Sequence, residues 1–338
     1  REENNLTLVK DLISIPERVH QGDFVLQLSK GVTEPEQTLR DYVVTPQLVD
    51  AFANALAFEA IRREAGFILD GYPRSVRQAE ALEAFLARLP LLQIAACSSV
   101  GYETLDVGAM TRRGIRFTNT PDVLTDDVAD IAILLMLAVR RNLLAGDAYV
   151  RSGDWAAKGM MGLTRTTAGR RVGIVGLGRI GAAFARRCAA LGMEIGYSGR
   201  APKPGVPHAY FADITEMAGW SDVLVAATSG GAETAHLISA AALHALGPEG
   251  CFINISRGSV VDEAALLDAL ESGRLGSAGL DVFMNEPDAD PRFAALPNVV
   301  LYPHHASGTV ETRDKMSQLV LDNLAAHFAG QPLLTPVN

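Results

Sequence analysis

The chain has 338 residues, enough for two domains, and its 48% apolar and 20% charged residues are the balance of an ordinary folded protein. A net charge of -9 argues against nucleic-acid partners and anionic membrane surfaces, both of which want a basic patch, and no apolar run approaches a membrane span. The cysteines Cys97, Cys188 and Cys251 lie far apart in apolar stretches and read as buried thiols of a reducing compartment. With a polar opening, REENNLTLVK, that lacks the apolar core of a signal peptide, the expectation is a cytoplasmic protein without a metal cluster.

Residues 1–45 are polar, with strands expected at 24–28 and 42–44 around a turn-rich acidic loop. A helix over 49–63, a strand over 66–69, a second helix over 76–89 and a strand over 91–97 follow, the succession a parallel βαβ unit requires. Within it, GFILDGYPRSVRQAEAL, from Gly66 to Leu82, resembles the nucleoside-monophosphate segment of adenylate kinases, where Asp70 and Arg74 would be the functional positions. A kinase of that kind also needs a G-x-x-x-x-G-K-[ST] loop to cradle the triphosphate, and the chain has none. The simpler reading is a segment that fills a strand-loop-helix slot.

Past the strand at 91–97, Val100 and Gly101 stand where backbone N–H groups could face a small anion. A strand at 115–119 comes next, and Pro121 and Thr125 are start signals for a helix reaching Leu144. That helix is apolar nearly all round, so it is buried in its domain or against another subunit. Then comes RVGIVGLGRIGAAFARRCAAL, a strand, a glycine turn and a helix. In G-x-G-x-x-G the first glycine, Gly176, permits the turn, Gly178 lets backbone approach a pyrophosphate, and Gly181 lets helix pack on strand. The phosphates would rest on unsatisfied N–H groups at the positive end of the helix.

A site for NAD expects an acid about twenty residues further on, at the end of the second strand. Ser198-Gly199-Arg200-Ala201-Pro202-Lys203 stands there instead. Arg200 offers a planar fork and Lys203 a second positive charge to a ribose 2′-phosphate, so NADP(H) is preferred and NAD(H) remains open. Strands over 222–227, 252–255, 278–282 and 299–302 alternate with helices over 239–246 and 261–270, which makes a doubly wound parallel sheet from about 110 to 288. Loops at the carboxyl ends of its strands, including Ser229, are where such sheets bind ligands.

Three polar groups sit just beyond those strands: Arg257, Glu286 and His304. Reducing a 2-keto acid needs a fixed cation for the carboxylate, a proton donor for the ketone oxygen, and a group that keeps the donor charged. An always-charged guanidinium, an imidazole titrating near neutrality and a neighbouring carboxylate suit these roles in turn. Each has a plainer alternative: a surface ion pair for the arginine, a turn for the Glu-Pro dipeptide, a metal pair for His304 and His305. Adjacent residues on an extended strand point to opposite faces, and no third ligand is evident.

From about residue 91 to the last, VGLGRIG, FINISRGSVVDE, AGLDVFMNEP and YPHHASGTVETR, in this order and spacing, resemble the D-isomer-specific 2-hydroxyacid dehydrogenases. The glyoxylate and hydroxypyruvate reductase branch is the most similar, in part through YSGRAPKP. The resemblance implies an α/β protein with a Rossmann cofactor domain over 110–288 and a smaller flavodoxin-like substrate domain over 1–109 and 289–338, atypical at its N-terminus. It further implies that Arg257 holds the substrate carboxylate, His304 is the acid/base and Glu286 is its partner, while Val100 and Gly101 offer N–H groups to the substrate. Arg179, Ile180, Ser198, Ser229, Ile255 and Asp281 would contact the cofactor, with Asp281 near the nicotinamide amide, and Arg200 and Lys203 would face the 2′-phosphate. The expected reaction is reduction of a small 2-keto acid, in a homodimer. A catalytically impaired protein that binds NADP(H) is the alternative. Two departures stand out: His305-Ala306-Ser307-Gly308 replaces the family's usual Ile-Gly-Ser-Ala, and residues 1–65 have no counterpart.

Overall fold

The computed structural model describes residues 92–338 apart from Thr104, together with the backbone of two short strands, β1 (Val43–Val44) and β2 (Gly66–Leu69). The expected strand at 24–28 and helices at 49–63 and 76–89 lie outside the described residues. The chain divides into two compact units, Arg1–Val123 with Val310–Asn338, and Leu124–Thr309.

In the first unit a four-stranded parallel sheet runs in the order β1-β2-β3-β4, with β3 at Ile94–Cys97 and β4 at Arg116–Thr118. The kinase-like segment therefore begins as a sheet strand, Gly66 pairing with Ile94 and Leu69 with Cys97. The helix Val310–Phe328 lays Val320, Leu321 and Leu324 against Ile94 and Ala96. The end of the chain lines β4, where Val337 N–H donates to Phe117 O at 2.8 Å and Thr118 bridges Pro336. Asn323, fully buried, is satisfied there by accepting from the N–H groups of Leu334 and Thr335.

The second unit is a seven-stranded, all-parallel sheet built from β5 (Arg171–Val175), β6 (Glu194–Ser198), β7 (Ala209–Tyr210), β8 (Val223–Ala226), β9 (Cys251–Asn254), β10 (Ser277–Leu280) and β11 (Val299–Leu301). The order β11-β10-β9-β8-β5-β6-β7 reverses direction between β5 and β8. β8 and β9 are buried along their whole length, because helices cover both faces of a parallel sheet. The register matters most for function. Val175 pairs with both Ser198 and Ala226, Ala226 with Asn254, and Asn254 and Leu301 with Leu280. The carboxyl ends of these strands thus share one edge.

The unit boundaries differ from the expected 109/110 and 288/289 divisions. β4 pairs with β3 and so stays in the first unit, whereas β11 pairs with β10 and holds the chain through residue 309 in the second. His304 therefore belongs to the same unit as Glu286, not to the one expected to bind substrate.

The helix expected to run to Leu144 starts at Thr125 but stops at Arg140. Asn142 adopts a left-handed conformation (φ 48°, ψ 42°), which asparagine tolerates better than most residues, and a separate helix, Leu143–Arg151, follows. The break falls at Arg140-Arg141-Asn142, the polar interruption between two apolar runs. Ala132, Leu135 and Val139 are buried, and a Cβ at Gly279 of β10 would lie 3.0 Å from the Leu135 Cβ, so the helix packs directly on the sheet. The segment between β6 and β8, for which the sequence suggested no element, holds β7 and the helix Ile214–Trp220, capped by Asp213 accepting from Thr215 and Glu216 N–H. Ser239 caps the helix Ala240–Leu246, accepting from Ala242 N–H at 3.4 Å.

Candidate active site

The three glycines of the turn after β5 play three different roles. Gly176 has φ 96°, and a Cβ there would lie 2.8 Å from the Thr228 backbone, so the turn and the approach to the β8 loop both require glycine. A Cβ at Gly181 would collide with the Gly176 carbonyl oxygen, which is the close helix-strand packing. At Gly178 a Cβ would meet nothing within 4 Å. Open space therefore lies over the start of the helix Arg179–Ala190, whose first N–H groups have no intrahelical acceptors. A pyrophosphate fits that geometry.

Beyond β6, Ser198 is buried and its carbonyl accepts from Gly176 N–H at 2.9 Å, while Arg200 is exposed. The Lys203 ammonium reaches back to the Leu177 carbonyl at 2.5 Å, so the basic loop and the glycine turn are tied together. Ser229 is exposed at the end of β8, and its carbonyl accepts from the Thr234 hydroxyl at 2.8 Å. Ile255 is buried at the end of β9.

At the other end of the same edge, His304 Nδ1 lies 2.5 Å from Glu286 Oε2, and Glu286 Oε1 accepts from Phe283 N–H at 3.0 Å. Both carboxylate oxygens are thus committed, one aiming the imidazole and the other fixing the turn. His304 has φ 50° rather than the extended conformation expected of it, held by its N–H donating to Asp281 O at 2.7 Å. Asp281, 2% exposed, accepts from His305 N–H at 2.9 Å. Burial lifts its carboxyl to about 6 against the pull of the His305 and Ala306 N–H groups and the nearby His304. The departure at His305-Ala306-Ser307-Gly308 has a local logic: a Cβ at Gly308 would strike the His305 ring. Among the described residues no group of three His, Cys, Asp or Glu side chains could hold a metal ion.

Arg257 follows β9, half-buried, its guanidinium donating to Ser256 O at 2.7 Å. Asn254, fully buried, grips this loop twice, donating to Arg257 O at 3.0 Å and accepting from Ser256 N–H at 3.0 Å. Gly258 lets the loop meet Phe283, whose carbonyl would overlap a Cβ. A residue missed in the sequence, Glu263, opens the helix Glu263–Glu271 and accepts from Met284 N–H at 2.8 Å, with burial raising its carboxyl. Asn254 and Ser256 were missed as well; the signal that could have found them is that polar residues closing a buried strand must find partners. Val100 and Gly101 lie in the first unit after β3, where Asn119 Nδ2 donates to Val100 O at 2.9 Å and the Ser99 hydroxyl to Gly101 O at 2.5 Å.

A parallel sheet with a dinucleotide turn at its reversal point, and a histidine-carboxylate pair further along the same edge, defines a nucleotide-dependent oxidoreductase. Residues 133–306 match the family model described as D-isomer specific 2-hydroxyacid dehydrogenase, NAD binding domain. The chain is 48% identical over 280 residues to hydroxyphenylpyruvate reductase of Plectranthus scutellarioides, covering 83% of this chain and 88% of the relative. It is 46% identical over 280 residues to glyoxylate/hydroxypyruvate reductase A of Arabidopsis thaliana, covering 81% and 89%. The crystal structure of an NADPH-dependent glyoxylate/hydroxypyruvate reductase from Sinorhizobium meliloti, in complex with NADP and malonate, superposes with a TM-score of 0.80 at 40% identity, covering 88% and 96%. The chain belongs to the D-isomer-specific 2-hydroxyacid dehydrogenase family.

Proposed function

We propose that this chain reduces a small 2-keto acid of the glyoxylate or hydroxypyruvate type to the D-2-hydroxy acid, with NADPH preferred over NADH. The observation that carries the reading is the His304–Glu286 pair at 2.5 Å on the same sheet edge as the open glycine turn. Bound NADPH supplies the hydride. His304 delivers a proton to the ketone oxygen from Nε2, because Nδ1 is held by Glu286. The Glu286 carboxylate fixes the direction of the imidazole through its contact with Nδ1. Arg257 binds the substrate carboxylate through its planar fork, and Val100 and Gly101 offer backbone N–H groups to the substrate. Asp281 turns a polar group toward the nicotinamide amide, and Arg179, Ile180, Ser198, Ser229 and Ile255 line the cofactor. Arg200 and Lys203, with no acid at the strand end, support the 2′-phosphate preference.

Relatives named as reductases at 46–48% identity favour turnover over the impaired, cofactor-binding alternative. The test is NADPH oxidation with glyoxylate, hydroxypyruvate and hydroxyphenylpyruvate; a folded sample that turns over none of them overturns the proposal.

We also propose a homodimer. Leu143, Leu144, Val150, Trp155, Met160 and Leu163 are all more than half exposed within one stretch of the second unit, an apolar surface that a second copy would cover. Light scattering checks this, and a monomer at micromolar concentration would refute it. The buried free thiols of Cys97, Cys188 and Cys251 support a cytoplasmic location. Among the described residues no helix is long and apolar enough to cross a membrane.

A further inference from the structure

The loop after β6 carries both cations that the cofactor reading uses, yet its residues 199–203 are exposed and open with a glycine. Left to itself such a loop samples many shapes, and a phosphate that must meet two cations at once pays for ordering them. Two buried or half-buried hydroxyls restrain it. The Tyr197 oxygen accepts from Lys203 N–H at 2.7 Å, and the Tyr210 hydroxyl donates to Gly199 O at 3.1 Å. The two tyrosines are register partners in the parallel β6–β7 pair, so both rings rise from one face of the sheet, meeting edge to face at 5.4 Å. Tyr197 is 2% exposed, which leaves its hydroxyl little room to move. The loop is thus fastened at its first and last residues, Arg200 lies between the fastenings, and the Lys203 side chain spans to Leu177 O. A lysine has three donors, so that one contact leaves two for an anion.

We propose that Tyr197 and Tyr210 are positioning residues that set the preference for a dinucleotide bearing a ribose 2′-phosphate, by holding residues 199–203 in the shape that presents Arg200 and Lys203 together. This inference rests on the cofactor reading above. It assigns a purpose to β7, a two-residue edge strand whose pairing with β6 places the Tyr210 hydroxyl under the loop. A dinucleotide without the 2′-phosphate has no group for the two cations, so its binding is indifferent to the brace.

The test is a set of direct binding titrations on the full chain with NADPH, NADH, 2′,5′-ADP and 5′-AMP, for the wild type, Tyr197→Phe and Tyr210→Phe. Each variant should weaken NADPH and 2′,5′-ADP by about 3- to 10-fold, the loss of one hydrogen bond, and leave NADH and 5′-AMP within about 2-fold. In an Arg200→Ala background the same changes should shrink below about 2-fold, because brace and cation act on the same phosphate. Equal losses for NADPH and NADH, or no loss for either, overturn the brace. A wild type that binds NADPH no tighter than NADH overturns the cofactor reading along with it; a selective wild type with unaltered variants overturns the brace alone. Should Tyr197→Phe fail to fold, Tyr210→Phe at the half-buried sheet edge decides the matter.

Discussion

The two ends of the shared sheet edge in the second unit solve opposite electrostatic problems. At the β5–β6–β7 end the charges are exposed cations, Arg200 and Lys203, on a loop held by backbone and hydroxyl contacts. At the β9–β10–β11 end they are carboxyls taken out of water: Asp281 at 2% exposure and Glu286 with a side chain 12% exposed, pressed against His304. A permanent cation can attract a permanent phosphate from the surface, where the interaction is modest and falls with salt. At the reactive end burial acts on charge itself, lifting the Asp281 carboxyl to about 6. One end recognises; the other reacts.

The largest effects should come from breaking the reactive end. His304→Ala removes the only proton donor proposed there and should lower kcat by about a thousandfold with NADPH affinity unchanged, as stopped-flow reduction and cofactor titration would show. Arg257→Ala should cost about a hundredfold in kcat/KM for the keto acid through loss of a charge-assisted, two-pronged contact. Steady-state kinetics at saturating NADPH checks it. Glu263→Ala, which frees Met284 N–H and loosens the turn holding Glu286, should lower kcat by about tenfold, and Glu263→Gln, which keeps an acceptor, should restore most of it.

The recognition end should respond more gently. Arg200→Ala is expected to weaken NADPH by about tenfold at low salt, less as salt rises, and to leave NADH unchanged, because an exposed charge is screened.

The smallest effect sharpens the contrast through stability. The Asp281 carboxyl sits near 6 in the folded chain, above the usual carboxylate value near 4. Between those values the folded state binds more protons than the unfolded one, so stability falls as pH rises through that window and stays lower above it. Asp281→Asn cannot ionise. It should gain about 1 kcal/mol at pH 8 and nothing at pH 4, read as a melting difference of a few degrees.

Much of this was legible because local chemistry dictates it. The turn at Gly176 to Gly181 demands particular backbone freedom at particular spacings: Gly176 takes a positive φ and Gly181 packs against the Gly176 carbonyl, while the space over Gly178 is open. Strand positions followed from short apolar runs between turn residues, and the residues closing those runs, Asn254 to Arg257 and Asp281, stand where loops meet the sheet edge. The end of the first long helix is marked only by Arg140-Arg141-Asn142, polar residues that would equally suit the exposed face of a continuing helix, and because apolar residues resume at Leu143 and Leu144 hydrophobic periodicity does not reveal the left-handed break at Asn142. β7 was missed because two residues, Ala209 and Tyr210, carry no period at all.

By itself, the sequence determined the kind of domain, its family and the residue types available for chemistry, since turns, strand runs and motif order are properties of neighbouring residues. Tertiary structure alone decided that β11 pairs with β10 and so brings His304 into the unit of Glu286, that Asp281 is buried enough to hold a proton near pH 6, and that two tyrosines from adjacent strands meet beneath one loop. Those outcomes depend on which strands pair and what is removed from water, and neither is a property of any short stretch of chain.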